Sequence, residues 1–307
     1  MANTLAVDIG GTRVKWALVD EAYGTPDRGS LSTDFSTADE LVAAVVSIAR
    51  EHAQGIAGVA ISVPGTVLED DPTGTITGGG ALGYMDGCPL GQRVREETGL
   101  PVVVMNDGKS CALGEYAMGA LKGCRVGVAL AIGTGLGGGI VVDGRILAGA
   151  HGFAGEFSFL PTAYDQGFDI RCAAALGLSW RGLRDEVCRQ KGLPDAEREA
   201  TDGRTVFEWI NAGDAAAQRG LDAYTRRLAT LLFSLQATVD PDVFALGGGI
   251  SAQPALLASL RANIDAMYEP WPLKQLPTPN VVLAQHGNDA NLFGATYELR
   301  RRAARPE

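Results

Sequence analysis

Histidine and cysteine are scarce in this sequence, three and five among 307 residues. The cysteines, Cys88, Cys111, Cys124, Cys172 and Cys188, are odd in number, and no two form a Cys-x-x-Cys pair. That excludes a fully paired disulfide framework and the common structural zinc spacings, and leaves reduced, mostly buried thiols. Basic charge is also short: Lys plus Arg total 26 against 36 Asp plus Glu, a formal charge of −10, with no run of five basic residues. A nucleic-acid partner is therefore not expected. No window approaches the ~18 consecutive apolar residues of a membrane span. The opening MANTLAVDIGG lacks the basic and apolar regions of a secretory signal. The expectation is a soluble, cytoplasmic protein with no membrane partner. No repeat with a period of ~20 to 50 residues is visible, and no linker rich in proline, serine or charge divides the chain.

Glycine, by contrast, is abundant at 41 residues, roughly twice the ~7% of an average chain. Backbone with unusual freedom or close approach is thus part of the fold. Hydrophobic residues at 46% and charged residues at 20% are the balance of a folded globule, and the length suits one large domain or two medium ones.

Along the chain, 5–8 and 14–19 are short apolar runs around a glycine turn and predict a hairpin. Residues 38–52 space apolar side chains at helical intervals behind an acidic first turn, and 58–63 return as a strand ending at Pro64 and Gly65. This alternation marks an α/β layer. Residues 70–83 form a turn-rich loop and 90–98 a short helix. Residues 101–105 form a strand whose end carries Asn106 and Asp107, ahead of a helix at 111–118. Residues 127–132 then run into a second glycine turn and out through 140–142, the same device as at 5–19. The duplication favours two similar domains. Helices at 180–190, 205–212 and 214–239 follow, then a strand at 242–246, a helix at 254–267, a strand at 281–284 and a basic amphipathic helix at 291–305.

The informative residues end apolar strands: Asp8-Ile9-Gly10-Gly11-Thr12, Asn106-Asp107, Gly133-Thr134-Gly135-Leu136-Gly137-Gly138-Gly139 and Gly247-Gly248-Gly249. With Ala154-Gly155-Glu156, and in this order, they resemble the ROK family of bacterial sugar kinases and repressors, within the wider superfamily of sugar kinases, actin and heat-shock ATPases. The likeness spans essentially the whole chain. It implies two ribonuclease-H-like α/β domains of the actin/hexokinase type with an interdomain cleft. The domains are expected at 1–110 and 111–290, with 291–305 packing back on the first. It also implies an ATP-dependent kinase that transfers the γ-phosphoryl group to a hexose hydroxyl, with sugar and ATP as partners, and a homodimer.

The chemistry of these residue types agrees with the resemblance. Glycine turns at 10–12 and 133–135 let backbone N–H groups converge on a phosphate tail, and Thr12 and Thr134 add hydroxyl donors. Asp8 suits the waters of a Mg²⁺ bound between phosphates. Asp107 suits the catalytic role of accepting the proton of a sugar hydroxyl. Singly, each motif has a plainer use as a tight hairpin, a capped turn or a helix cap. The resemblance further implies that Asn106, Gly65, Gly80 and Glu156 touch the sugar, and that Gly247, Gly248 and Gly249 lie under adenine and ribose.

The departures bear on the substrate. Where most of the family has a histidine three residues after the glutamate, this chain has Phe159. In place of the family's cysteine-rich stretch, 160–172 contain only Cys172. One thiol cannot build a four-ligand site, so no structural zinc is expected. Asp169 is the candidate stand-in for the missing sugar contact, and His151 reads as an ordinary loop residue. The pattern resembles β-glucoside, glucose and N-acetylmannosamine kinases of the family. Transfer to O6 of glucose or a β-glucoside is expected, with an N-acetylhexosamine such as N-acetylmannosamine as the alternative. The family's repressors carry a helix-turn-helix ahead of the first motif, whereas seven residues precede Asp8. A non-catalytic sugar-sensing regulator is disfavoured by the presence of both Asp8 and Asp107.

Overall fold

The computed structural model describes residues 2–163, 170–271 and 275–304. The chain begins with β1 (Asn3–Ile9), β2 (Arg13–Val19), β3 (Asp27–Ser32), α1 (Ala38–Glu51), β4 (Ile56–Val63), α2 (Leu90–Thr98), β5 (Val102–Asn106) and α3 (Asp107–Met118). It continues through β6 (Val126–Ile132), β7 (Leu136–Val142), β8 (Arg145–Ile146), α4 (Ala174–Gly177), α5 (Trp180–Lys191), α6 (Asp195–Ala200) and α7 (Gly203–Asn211). It ends with α8 (Ala215–Val239), β9 (Val243–Gly248), α9 (Pro254–Tyr268), β10 (Val281–Leu283) and α10 (Ala290–Ala303). Two compact units result, one of Met1–Gly123, Gly138–Gly155 and His286–Glu307, the other of Cys124–Gly137 and Glu156–Gln285.

In the first unit the strand order is β3-β2-β1-β4-β5. The β1–β2 and β2–β3 pairs are antiparallel, and β1–β4 and β4–β5 are parallel. Side chains alternate across a strand, so β1 serves two layers. Leu5, Val7 and Ile9 join Leu41, Val42, Val45 and Val46 of α1 and Leu90 and Val94 of α2 in one core. Ala6 faces the other way, with Ala17, Val19 and α10's Leu292 and Phe293. Small alanines on that face let α10 approach the sheet closely. Burying each large apolar side chain contributes about 1.5–3 kcal/mol, which is why a strand apolar on both faces lies at the centre of the order.

Local chemistry sets the helix ends. Thr37 Oγ1 accepts from the Glu40 amide at 3.3 Å while Glu40 Oε2 accepts from the Thr37 amide at 3.1 Å, a capping box that starts α1. The far end of α10 is held to β2 by Arg300, which donates to the carbonyls of Val19 (3.0 Å) and Asp20 (2.8 Å). Buried Glu115 of α3 accepts from the amides of Ala120 and His286, each at 2.9 Å. One carboxylate thus fixes backbone near the points where the chain leaves and re-enters the first unit.

In the second unit β10, β9 and β6 are neighbours in that order, all parallel. The long α8 opens on Asp214, whose Oδ1 accepts from the amides of Ala216 and Ala217 at 2.9 Å. Its buried stripe of Leu221, Tyr224, Leu228, Leu232 and Leu235 keeps the three- and four-residue spacing of an amphipathic helix. No helix of the described residues is long and apolar enough to cross a membrane.

Some elements differ from the sequence reading. α3 begins at Asp107 rather than at 111, because Asn106 caps it. β7 begins at Leu136, inside the glycine run rather than behind it. β3, with no apolar run to announce it, is an additional edge strand of the first sheet.

Candidate active site

Asp8 stands near the end of β1, 8% exposed, in register with Ser62 of the parallel neighbour β4. Its Oδ1 accepts from Ser62 Oγ at 3.0 Å and from Asn291 Nδ2 of α10 at 2.9 Å. The turn that follows is closed by the Gly10 amide donating to the Arg13 carbonyl at 2.9 Å. Gly11 and Thr12 lie exposed at its tip.

Asn106 and Asp107 mark the passage from β5 into α3. Asn106 Oδ1 accepts from the Lys109 amide at 3.0 Å, which caps the helix. Its Nδ2 donates to the Gly65 carbonyl at 2.9 Å and to Asp107 Oδ1 at 3.0 Å. Asp107 Oδ1 also accepts from the Gly108 amide at 2.8 Å. The capping use and the site use of Asn106 are therefore compatible: one amide oxygen caps, while the amide nitrogen ties Asp107 to the Gly65 loop. Gly65 has φ 98°, and a Cβ there would lie 2.9 Å from the Thr77 carbonyl, so no other residue fits this turn. Gly80 opens a short 3₁₀ helix over Gly80–Met85. Lys109, buried in the first turn of α3, donates from Nζ to the Gly152 carbonyl and so ties α3 to the loop that leads to Glu156.

The charges converge on α3. Cys111, one turn beyond Asp107, is only partly covered as a residue. Its thiol is nonetheless pushed up to about 12, first by burial, then by the carboxylates of Glu115, Asp107 and Asp8.

In the second unit the Gly133 amide donates to the Gly135 carbonyl at 3.0 Å and the Gly133 carbonyl accepts from the Trp180 amide at 3.1 Å, leaving Thr134 exposed at the tip. Glu156 immediately precedes a 3₁₀ turn over Phe157–Phe159. At the end of β9, Gly248 has φ 96° and pairs with Ile132, where a Cβ would fall 2.2 Å from the Ile132 carbonyl oxygen. Gly247 is buried, whereas Gly249 is exposed. Gly249 lines an open pocket of about 400 Å³ with Arg204, Phe207, Glu208 and Asn211 of α7 and with Gln253.

The structure therefore places Asp8, Gly65, Asn106 and Asp107 in the first unit, with Gly65, Asn106 and Asp107 in one hydrogen-bond network and Asp8 in another with Ser62 and Asn291. It places Gly133, Thr134, Gly135, Glu156 and Gly247–Gly249 in the second. Asp169 lies outside the described residues. Sequence reasoning missed Ser62, Asn291 and Lys109. Only Ser62 had a signal, since pairing β1 with β4 sets it opposite Asp8.

The family model of the ROK family matches residues 4–302. The chain belongs to the ROK family. A β-glucoside kinase from Klebsiella pneumoniae is 30% identical over 305 residues, 98% of this chain and 97% of that protein. An N-acetylmannosamine kinase from Escherichia coli is 31% identical over 305 residues, 95% of this ROK chain and 97% of its relative. A ROK family glucokinase from Streptomyces griseus, solved in complex with glucose and AMPPNP, superposes with a TM-score of 0.77 at 28% identity, covering 98% of this chain and 100% of that one. The two-domain α/β fold expected from the sequence is that of ROK sugar kinases.

Proposed function

We propose that this ROK protein is an ATP-dependent sugar kinase that transfers the γ-phosphoryl group to a hexose hydroxyl. The observation that carries the reading is the Asn106–Asp107 pair at the β5–α3 junction, where Asn106 Nδ2 and the Gly108 amide both hold Asp107 Oδ1. A carboxylate fixed in this way is prepared to receive a proton without reorganising. Asp107 takes the proton of the sugar hydroxyl as its oxygen bonds to the γ-phosphorus and the bond to the β-phosphate oxygen breaks, releasing ADP. Asn106, Gly65, Gly80 and Glu156 hold the sugar. The amides of Gly10, Gly11 and Thr12 serve the phosphate tail, and so do those of Gly133, Thr134 and Gly135. Gly247, Gly248 and Gly249 serve the adenosine, which the 400 Å³ pocket beside α7 supports.

Asp8 fits a Mg²⁺ held through water. It is a single carboxylate with one oxygen gripped by two donors. Among the described residues no group of three or more His, Cys, Asp and Glu could hold a metal by itself. Such a partner suits a cation that brings phosphate and water ligands of its own. Asp8 would hold a Mg²⁺ that would supply neutralisation of phosphate charge.

The acceptor we favour is O6 of glucose or a β-glucoside. N-acetylmannosamine is the second reading, supported by a relative 31% identical, against 30% for the β-glucoside kinase. We further assign the protein to the cytoplasm and expect it to pair as a homodimer, as the family resemblance implies. A panel of sugars in a coupled ADP-release assay with Mg²⁺ tests the reading. Release that depends on one class of hexose is the expected result, and release indifferent to every sugar refutes it.

A further inference from the structure

The alternation of β1 places Asp8 on the face of Ala6, turned away from the α1 core and toward α10. Ser62 shares that face on β4, since its neighbours Ile61 and Val63 belong to the opposite core. Asn291, in the first turn of α10, reaches the same place, and the two donors meet on one oxygen, Oδ1, at 3.0 and 2.9 Å. Neither engages Oδ2. Two bonds from different elements onto one carboxylate oxygen fix both its torsions, whereas one bond alone would leave a rotation. Both donors stand on rigid supports: Ser62 in a central parallel strand, and Asn291 on a helix packed by Leu292 and Phe293 and tied to β2 by Arg300. No apolar contact needs an asparagine at 291, and a merely structural link would not have to meet Asp8 at the atom Ser62 already holds.

We propose that Asn291 and Ser62 are positioning residues that aim the Asp8 carboxylate, so that the last helix of the chain takes part in nucleotide-metal binding through Asp8. The proposal rests on the kinase reading and deepens it. By setting one oxygen they leave the other to face the hydrated cation, in the way that outer partners of a metal site orient the groups nearer the metal.

The test is equilibrium binding of Mn²⁺ by the full chain in the presence of ADP, with free Mn²⁺ read by electron paramagnetic resonance. Asn291→Leu keeps the branched outline of the side chain and loses the donor. It is expected to weaken Mn²⁺ binding about tenfold, as is Ser62→Ala, while Ser62→Thr, which keeps the hydroxyl, stays within about twofold. In an Asp8→Asn background Asn291→Leu is expected to add nothing, a non-additivity that a general loss of stability would not produce. If Asn291→Leu does not fold, Asn291→Ser replaces it. Near wild-type Mn²⁺ affinity in a folded Asn291 variant overturns the proposal, and so does an equal further loss in the Asp8→Asn background. Wild-type protein that binds no Mn²⁺ with ADP refutes the kinase reading itself, whereas wild-type binding with indifferent variants removes only the role given to Asn291 and Ser62.

Discussion

The turn after β1 and the turn after β6 are built from the same residue types, yet their surroundings differ. In the first, Asp8 precedes the turn and is gripped by Ser62 and Asn291. In the second, the corresponding place before Ile132, Gly133 and Thr134 is held by Ala131. The first unit also holds Asp107, whereas the second offers backbone, the Gly248 close approach and an open pocket. The strand–turn–strand device thus occurs twice, while Asp8 and Asp107 both stand in the first unit. In the proposed reading, the base and the metal partner stand in the first unit, both turns serve the phosphates, and the adenosine falls to the second.

The largest expected effect breaks that contrast at its chemical end. Asp107→Asn should lower kcat by about 10³-fold while sugar affinity stays within about tenfold. Thr134→Val in the second unit should raise the KM for ATP severalfold and spare kcat. Steady-state kinetics with sugar binding by calorimetry checks both. A kcat loss in Thr134→Val comparable to that of Asp107→Asn would erase the distinction.

Next comes stability within the second unit. Gly248→Ala forces a Cβ against the Ile132 carbonyl oxygen at a φ of 96°, and urea unfolding should register a loss of about 2–3 kcal/mol. A Cβ on Gly249 meets nothing within 4 Å, so Gly249→Ala should stay within about 0.5 kcal/mol of wild type. It should still raise the KM for ATP, because the added methyl enters the pocket.

The smallest effect sharpens the first unit's dependence on placed carboxylates in its frame. Glu298 of α10 is 2% exposed. Burial works to raise its pKa, but hydrogen bonds from Arg301 and Arg302, with their charges, hold it below the ordinary value. A lowered carboxylate stabilises the fold above its unfolded pKa of about 4.3 and loses that contribution as pH falls through the folded value. Glu298→Gln should therefore cost about 1–2 kcal/mol at neutral pH, with the gap from wild type closing in acid. Melting temperatures at pH 7 and pH 3 check this.

Much of the frame was legible because β1, β4 and β6 are apolar enough to declare themselves, and because glycine at their ends has few other uses. The places of Asp8 and Asp107 beside strand ends were legible for the same reason, whereas the roles expected of them came from the family resemblance. The β3 strand was not, since its pattern Asp27-Arg28-Gly29-Ser30-Leu31-Ser32 lies at an edge and has little to bury. Asn291 was not legible either. It is 283 residues from Asp8, and only the packing of α10 on the alanine face of the sheet brings the two together. Domains at 1–110 and 111–290 were expected, with 291–305 packing back on the first; the compact units keep that return of the last helix and also take residues 138–155 into the first unit. Contacts between distant segments set such a division, and local composition carries no trace of them.

The most direct test of the central claim is phosphorus NMR of the wild-type protein with ATP, Mg²⁺ and glucose or a β-glucoside. The account predicts a sugar 6-phosphate resonance that grows one for one with ADP as the γ-phosphate signal of ATP falls. A γ-phosphate signal that persists, or that passes only into inorganic phosphate, would contradict it.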